Sequence, residues 1–295
     1  MKLTLSDLEL ARLDSPGVPD IQLVIQLAQR TLDELAMQPP INHEIVASMR
    51  DIIGIKEEAI PWAGCLMPGP DGLLMTLRAG DSRGKKRFTA FHEVKHTFFP
   101  GFSVIAQYRC DPSTPPDITQ LRDASLEELC DIGAAELLFP RDAFLEDLAG
   151  NAPTMRLVEE LADRYDGSLE ATARRVVSLH PEPIMLVALE PACKPSEPHA
   201  QPVLRVQWAQ ATDRGSWPYV PKHKSVSDDS PFGRALDGEL VGEIAPLHAL
   251  TGGGQTELVR INAGLYPYTD DQGEPHMRVL ALITPSGQPR TSRGY

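Results

Sequence analysis

Two histidines four residues apart, with a glutamate directly after the first, stand in Arg87-Phe88-Thr89-Ala90-Phe91-His92-Glu93-Val94-Lys95-His96-Thr97-Phe98-Phe99. On a helix, His92 and His96 lie one above the other on a single face, so both imidazoles can reach one ion. Glu93 is then placed to take a proton from water activated by that ion. Phe88, Phe91, Val94 and Phe98 recur at steps of three to four, which predicts a helix that buries this stripe. Two histidines beside an aromatic stripe also occur as plain boundary residues. The chemistry therefore needs a further ligand from elsewhere in the chain.

Catalytic zinc usually takes three protein ligands and keeps one position for water. The other histidines (His43, His180, His199, His223, His248, His276) are scattered in ordinary contexts. A carboxylate from the stretch Ser125–Phe139 is the better candidate. There Leu126, Leu129, Cys130, Gly133, Ala134, Leu137 and Leu138 mark a helical stripe that Pro140 ends. At about 100° per residue, Glu127 sits on the flank of that stripe with Asp131 and Leu138, while Glu128 points nearly opposite. Ser125-x-x-Glu128 also reads as a capping box, which gives Glu128 a purely structural task. Glu127 is thus the expected third ligand. Asp131, one turn on, either holds a liganding imidazole from behind or is a plain surface acid. Tyr108 is a candidate donor to a developing oxyanion. Zinc is the expected ion, with Mn2+ or Fe2+ open to the same donors.

With these residues in hand, the chain resembles the ImmA/IrrE family of zinc metallopeptidases. The resemblance rests on Phe88, Thr89, His92, Glu93 and His96, then on Glu127, Cys130, Asp131, Ala134, Ala135, Glu136, Leu137, Leu138 and Pro140. It covers roughly residues 40–180. Two positions depart from the family pattern: Asp131 stands where Asn is usual, and Gly133 where a large apolar residue is usual. The resemblance implies a zincin-like domain whose edge strand, within residues 60–78, pairs with an extended peptide. It also implies cleavage of helix-turn-helix repressors of the XRE type, which derepresses stress-response or mobile-element genes. A peptidase-like module that sequesters a repressor or antitoxin without cutting is the alternative.

The elements that must position these residues follow from the rest of the chain. Residues 1–18 read as a loosely held start. Pro19–Met37 keeps helical spacing, and a second helix with Asn42 as N-cap is expected to bury Ile45, Val46, Met49, Ile52 and Ile53. Trp62–Met67 and Leu73–Arg78, split by Pro68-Gly69-Pro70-Asp71-Gly72, predict a hairpin. Asp81–Arg87 reads as a solvated basic loop, and residues 100–120 as another loop. Residues 152–165 and 168–180 predict two short helices joined by Asp166-Gly167, whose more frequent meaning is ordinary packing and not DNA recognition. Strands are expected at Pro183–Leu189, Val203–Ala209, Thr256–Asn262 and Met277–Thr284, and residues 212–232 as a polar segment.

The fold class is therefore α+β. Residues 1–150 are expected to form the zincin-like metallopeptidase domain that the resemblance implies, 151–180 a helical pair, and 181–295 a mostly β C-terminal domain, for which the resemblance suggests a sensory or regulatory role. Apolar content of 42% across 295 residues supports real cores. No apolar run approaches a membrane span, and the acidic N-terminus does not read as a signal peptide. Four widely spaced cysteines fit reduced thiols in the cytoplasm. A net charge of −13 disfavours direct nucleic-acid binding and favours a basic protein partner.

Overall fold

The computed structural model describes residues 5–99, 124–194, 196–212, 217–251, 257–270 and 273–287. The chain is α+β and divides into two compact units, Met1–Glu146 with Leu161–Ala171, and Asp147–Glu160 with Thr172–Tyr295.

The first unit opens with α1 (Asp7–Asp14) and α2 (Asp20–Leu35). The start is not loose. Ser6 and Glu9 form a capping box on α1, and Leu8 donates its backbone N–H to the Phe98 carbonyl, 3.1 Å away. Next comes α3 (His43–Ser48), capped by the Asn42 side chain as expected, but it stops before Ile52 and Ile53. Those two residues begin strand β1 (Ile52–Glu58), because Asp51 takes a left-handed φ of 57° that ends helical continuation. The predicted buried face changes accordingly: Val46, Ala47 and Ile52 are buried, whereas Ile45, Met49 and Ile53 are exposed. β-branched Ile52, Ile53 and Ile55 suit a strand better than the helix read from their spacing.

The expected hairpin forms β2 (Gly64–Pro68) and β3 (Leu73–Arg78), paired antiparallel, with β1 parallel on the other side of β3. The order β1-β3-β2 makes β2 an edge strand. Asp81–Arg87 is not a solvated loop. Ser82 caps α4 (Arg83–His96), and the basic residues form its first turn. Lys86 meets Glu57 at 2.5 Å, Arg83 meets Asp166 at 2.6 Å, and Arg87 donates to the Ile41 carbonyl at 2.7 Å.

Helix α5 (Ala124–Leu138) packs on both α4 and α2. It starts one residue before Ser125. Cys130, Ala134, Leu137 and Leu138 are fully buried, and so are Leu23 and Val24 of α2 and Phe91 and Val94 of α4. Helices α6 (Arg141–Leu148), α7 (Met155–Tyr165) and α8 (Leu169–Leu179) follow. Phe139, Phe144 and Tyr165 interlock with ring centroids 5.1–5.8 Å apart. The turn after α7 uses Asp166 at a φ of 53°.

The second unit is built on an antiparallel sheet ordered β5-β4-β10-β7-β6, from β4 (Met185–Ala192), β5 (Val203–Ala211), β6 (Val241–Pro246), β7 (Leu258–Leu265) and β10 (Val279–Pro285). A short ribbon of β8 (Tyr268–Thr269) and β9 (Pro275–His276) precedes β10. On one face Val187, Val206, Ile261, Ala281 and Ile283 form a core with Phe232 of α9 (Pro231–Leu236) and Leu250 of α10 (His248–Thr251). On the other, Arg174 of α8 stacks on Trp208 at 3.9 Å. Within the polar segment, residues 217–232 are more ordered than their composition suggests: Val206 and Lys224, and Val226 and Leu204, are joined by backbone hydrogen bonds, so part of it covers the β5 edge.

Candidate metal centre

Helix α4 presents His92 and His96 on one face, and α5, packed across it, presents Glu127, Cys130 and Asp131. These three residues fall at i, i+3 and i+4, the spacing that shares a helix face. Their side chains meet the histidines in an ordered way. His92 Nε2 lies 3.1 Å from Glu127 Oε2, and His96 Nε2 lies 3.2 Å from His92 Nε2 and 3.9 Å from Glu127 Oε2. On the far side of each ring, His92 Nδ1 meets Asp131 Oδ1 at 2.8 Å and His96 Nδ1 meets Cys130 Sγ at 3.5 Å. Glu128 is exposed and points elsewhere.

This donor set fits a tetrahedral cation. Ligand bonds of about 2.0–2.1 Å imply donor–donor edges of about 3.4 Å, and the three separations here bracket that value. His92, His96 and Cys130 also form a compact group of possible ligand atoms, all within 4.8 Å of one another. Glu127 offers an oxygen to the same pair of histidines. Its oxygen faces the two Nε2 atoms, whereas Cys130 Sγ meets His96 at Nδ1.

The electrostatics also favour a positive charge here. Burial opposes protonation of His92, but the Asp131 and Glu127 hydrogen bonds and the Glu93 charge outweigh it and push the imidazole up to about 9. A metal ion would take the place of that proton. Burial, reinforced by the charges of Glu127 and Glu93, pushes the Cys130 thiol well above its usual range. Glu93 is 4% exposed and faces the edge strand. A Cβ built on Gly64 would come 2.5 Å from Thr89 Cγ2 and 3.3 Å from Glu93 Cγ, so only glycine lets β2 run this close to α4.

Two residues had no role in the sequence reading beyond the stripe, or none at all. Cys130 was one of the apolar positions, and only packing reveals its contact with His96; its position three residues after Glu127 was the available signal. Lys95 is fully buried with its ammonium 3.9 Å over the Phe98 ring, and burial followed by the Arg50 charge pushes it down to about 7. A Cβ on Gly133 would meet Lys95 Cε at 2.2 Å. The small residue at 133 thus makes room for the lysine chain, which accounts for one departure from the family pattern. Tyr108 lies outside the described residues.

Comparison with known proteins agrees with this geometry. Residues 69–177 match the model of the IrrE N-terminal-like domain, a peptidase family. Over this segment the chain is similar to the ImmA/IrrE family. It is 26% identical over 205 residues to the radiation response metalloprotease IrrE of Deinococcus radiodurans, an alignment covering 66% of this chain and 60% of that one. With the IrrE of Deinococcus deserti it shares 28% over 158 residues, or 53% and 54% of the two chains. The chain thus spans little more than half the length of these curated relatives. A Mycobacterium tuberculosis transcriptional regulator has a similar fold, with a TM-score of 0.58 over 95% of this chain and 82% of that one, at 12% identity. The match to a metallopeptidase family, together with the cluster of His92, His96 and Cys130, points to a metal at this site. Among the described residues no helix is long and apolar enough to cross a membrane.

Proposed function

We propose that this chain is a cytoplasmic zinc-dependent endopeptidase that cuts a helix-turn-helix repressor of the XRE type and so releases stress-response or mobile-element genes. In this reading residues 1–150 are the catalytic domain, 151–180 a helical pair, and 181–295 a regulatory domain. The observation that carries it is the convergence of His92 Nε2, His96 Nε2 and Glu127 Oε2 at 3.1–3.9 Å beside a buried Glu93. The radiation-response relatives support the stress-response part.

His92, His96 and Glu127 would hold the ion, and Asp131 fixes the His92 ring through Nδ1. Bound there, zinc would supply Lewis acidity to the scissile carbonyl and to water. Glu93 accepts the proton of the attacking water and passes it to the leaving amine, its carboxylate aimed by α4 and pressed against Gly64. The edge strand β2 offers backbone donors and acceptors to an extended substrate, so affinity comes from strand pairing and selectivity from side-chain pockets. Tyr108 is kept as the candidate oxyanion donor.

The test is co-incubation of the full-length chain with small helix-turn-helix proteins from the neighbouring genes, read by intact-mass analysis. The wild type should carry about one zinc per chain and cut one of them at a single peptide bond. Glu93→Gln should keep the zinc and lower cleavage by roughly 10²–10⁴-fold. A wild type that binds such a protein tightly and leaves it whole would replace the peptidase reading with a binding module.

A further inference from the structure

We infer that Cys130 is a positioning residue for His96: its sulfur takes the Nδ1–H of the ring and thereby holds Nε2 bare toward Glu127 and His92. This rests on the metal reading above. Three observations carry it. Cys130 Sγ is 3.5 Å from His96 Nδ1, while the opposite nitrogen of the same ring lies 3.2 Å from His92 Nε2. Both residues are buried, Cys130 completely and His96 to 5% exposure, so water has little access to that ring nitrogen. And Cys130 stands on the helix face that also carries Glu127 and Asp131.

One face of α5 therefore serves both histidines. Asp131 takes the back of His92 at 2.8 Å, at the exposed end of the centre. Cys130 does the same for His96 at the buried end, where a second carboxylate would be a buried charge needing its own partner. A neutral imidazole carries its proton on the nitrogen that has an acceptor. Remove the acceptor, and the proton can settle on Nε2, where a ligand needs its lone pair. Cys130 is not itself a ligand in this arrangement, because sulfur and the facing Nε2 atoms lie on opposite sides of the His96 ring.

The experiment uses full-length wild type, Cys130→Ala and Cys130→Ser. For each, zinc affinity is measured by chelator competition, unfolding of the metal-free protein by heat, and the near-ultraviolet spectrum of the Co2+-loaded protein. Cys130→Ala should bind zinc about 10-fold more weakly, the low end for loss of a group that orients a ligand. Cys130→Ser, which keeps an acceptor, should recover part of that loss even if its unfolding temperature falls as far. None of the three Co2+ spectra should show sulfur-to-metal charge transfer. Equal zinc affinity in wild type and Cys130→Ala, with only unfolding changed, would reduce Cys130 to packing. A charge-transfer band that vanishes in Cys130→Ala would make it a ligand and overturn the proposal. Failure of the wild type to bind zinc at all would sink the metal reading and this inference together.

Discussion

The α4–α5 pair of the first unit and the strands of the second bury very different side chains. In the first, Arg87, Glu93, Lys95, His96 and Glu136 are all under 8% exposed. In the second, the described strands bury apolar residues almost throughout; Thr284, at 5%, is the polar one among them. A buried charge costs free energy unless it is compensated, and the same low dielectric magnifies every interaction it makes. The α4–α5 pair accepts that cost beside the proposed metal site. The sheet of the second unit has the plain alternation of a stability core, with β4 and β10 apolar on both faces because each is covered twice.

The largest expected effect tests whether the polar region is a metal site. Glu127→Gln should strip zinc at stoichiometric concentrations, whereas Glu128→Gln, exposed on the same helix, should leave metal content at wild-type level; elemental analysis of both purified variants decides. The reverse pattern would mean that α5 is rotated relative to α4. The second unit supplies the counterpart. Ile261 is fully buried in the apolar core, so Ile261→Ala should lower unfolding free energy by about 2–5 kcal/mol by denaturant titration, with zinc per folded chain unchanged.

A finer test concerns the edge strand. Gly64→Ala must displace either Thr89, whose β-branched side chain is stiff on a helix, or β2 itself. We expect cleavage to fall about 10²-fold with zinc retained, since misplacement by about 1 Å costs that much; unchanged cleavage would remove β2 from the substrate path. The smallest effect sharpens the electrostatic contrast. Lys95 sits near 7 in the folded chain and returns to the ordinary lysine value on unfolding. From about pH 7 upward to that value the unfolded state holds the extra proton, so this lysine makes stability rise with pH. Below pH 7 both states are protonated and the dependence stops. Lys95→Met should flatten that slope and raise stability near pH 7 by about 1–3 kcal/mol, measured by urea titration across the range.

Much of this was legible in the chain. The four-residue spacing of His92 and His96, the proline and glycine turn before Leu73, and the stripe on Leu126–Leu138 depend on local periodicity, which is written in sequence. That Glu127, and not Glu128, lies beside the two histidines follows from helix phase. Other features were not legible because they compete locally. Ile52 and Ile53 continue the helical spacing of α3, and their strand pairing with β3 is a contact across about 20 residues that no short window contains. The basic turn at 83–87 reads as polar loop until Glu57, Asp166 and the Ile41 carbonyl arrive to receive its charges.

The sequence by itself determined the donor types, the helix that carries two of them and the turns that frame it, since these follow from side-chain chemistry and backbone periodicity. Tertiary structure alone decided that Asp131 backs His92 while Cys130 backs His96, and that Gly133 is small because Lys95 fills the space beside it. The physical reason is that such contacts depend on the angle and depth at which α5 crosses α4. That crossing is set by how many side chains pack at once, and no single stretch of sequence encodes it.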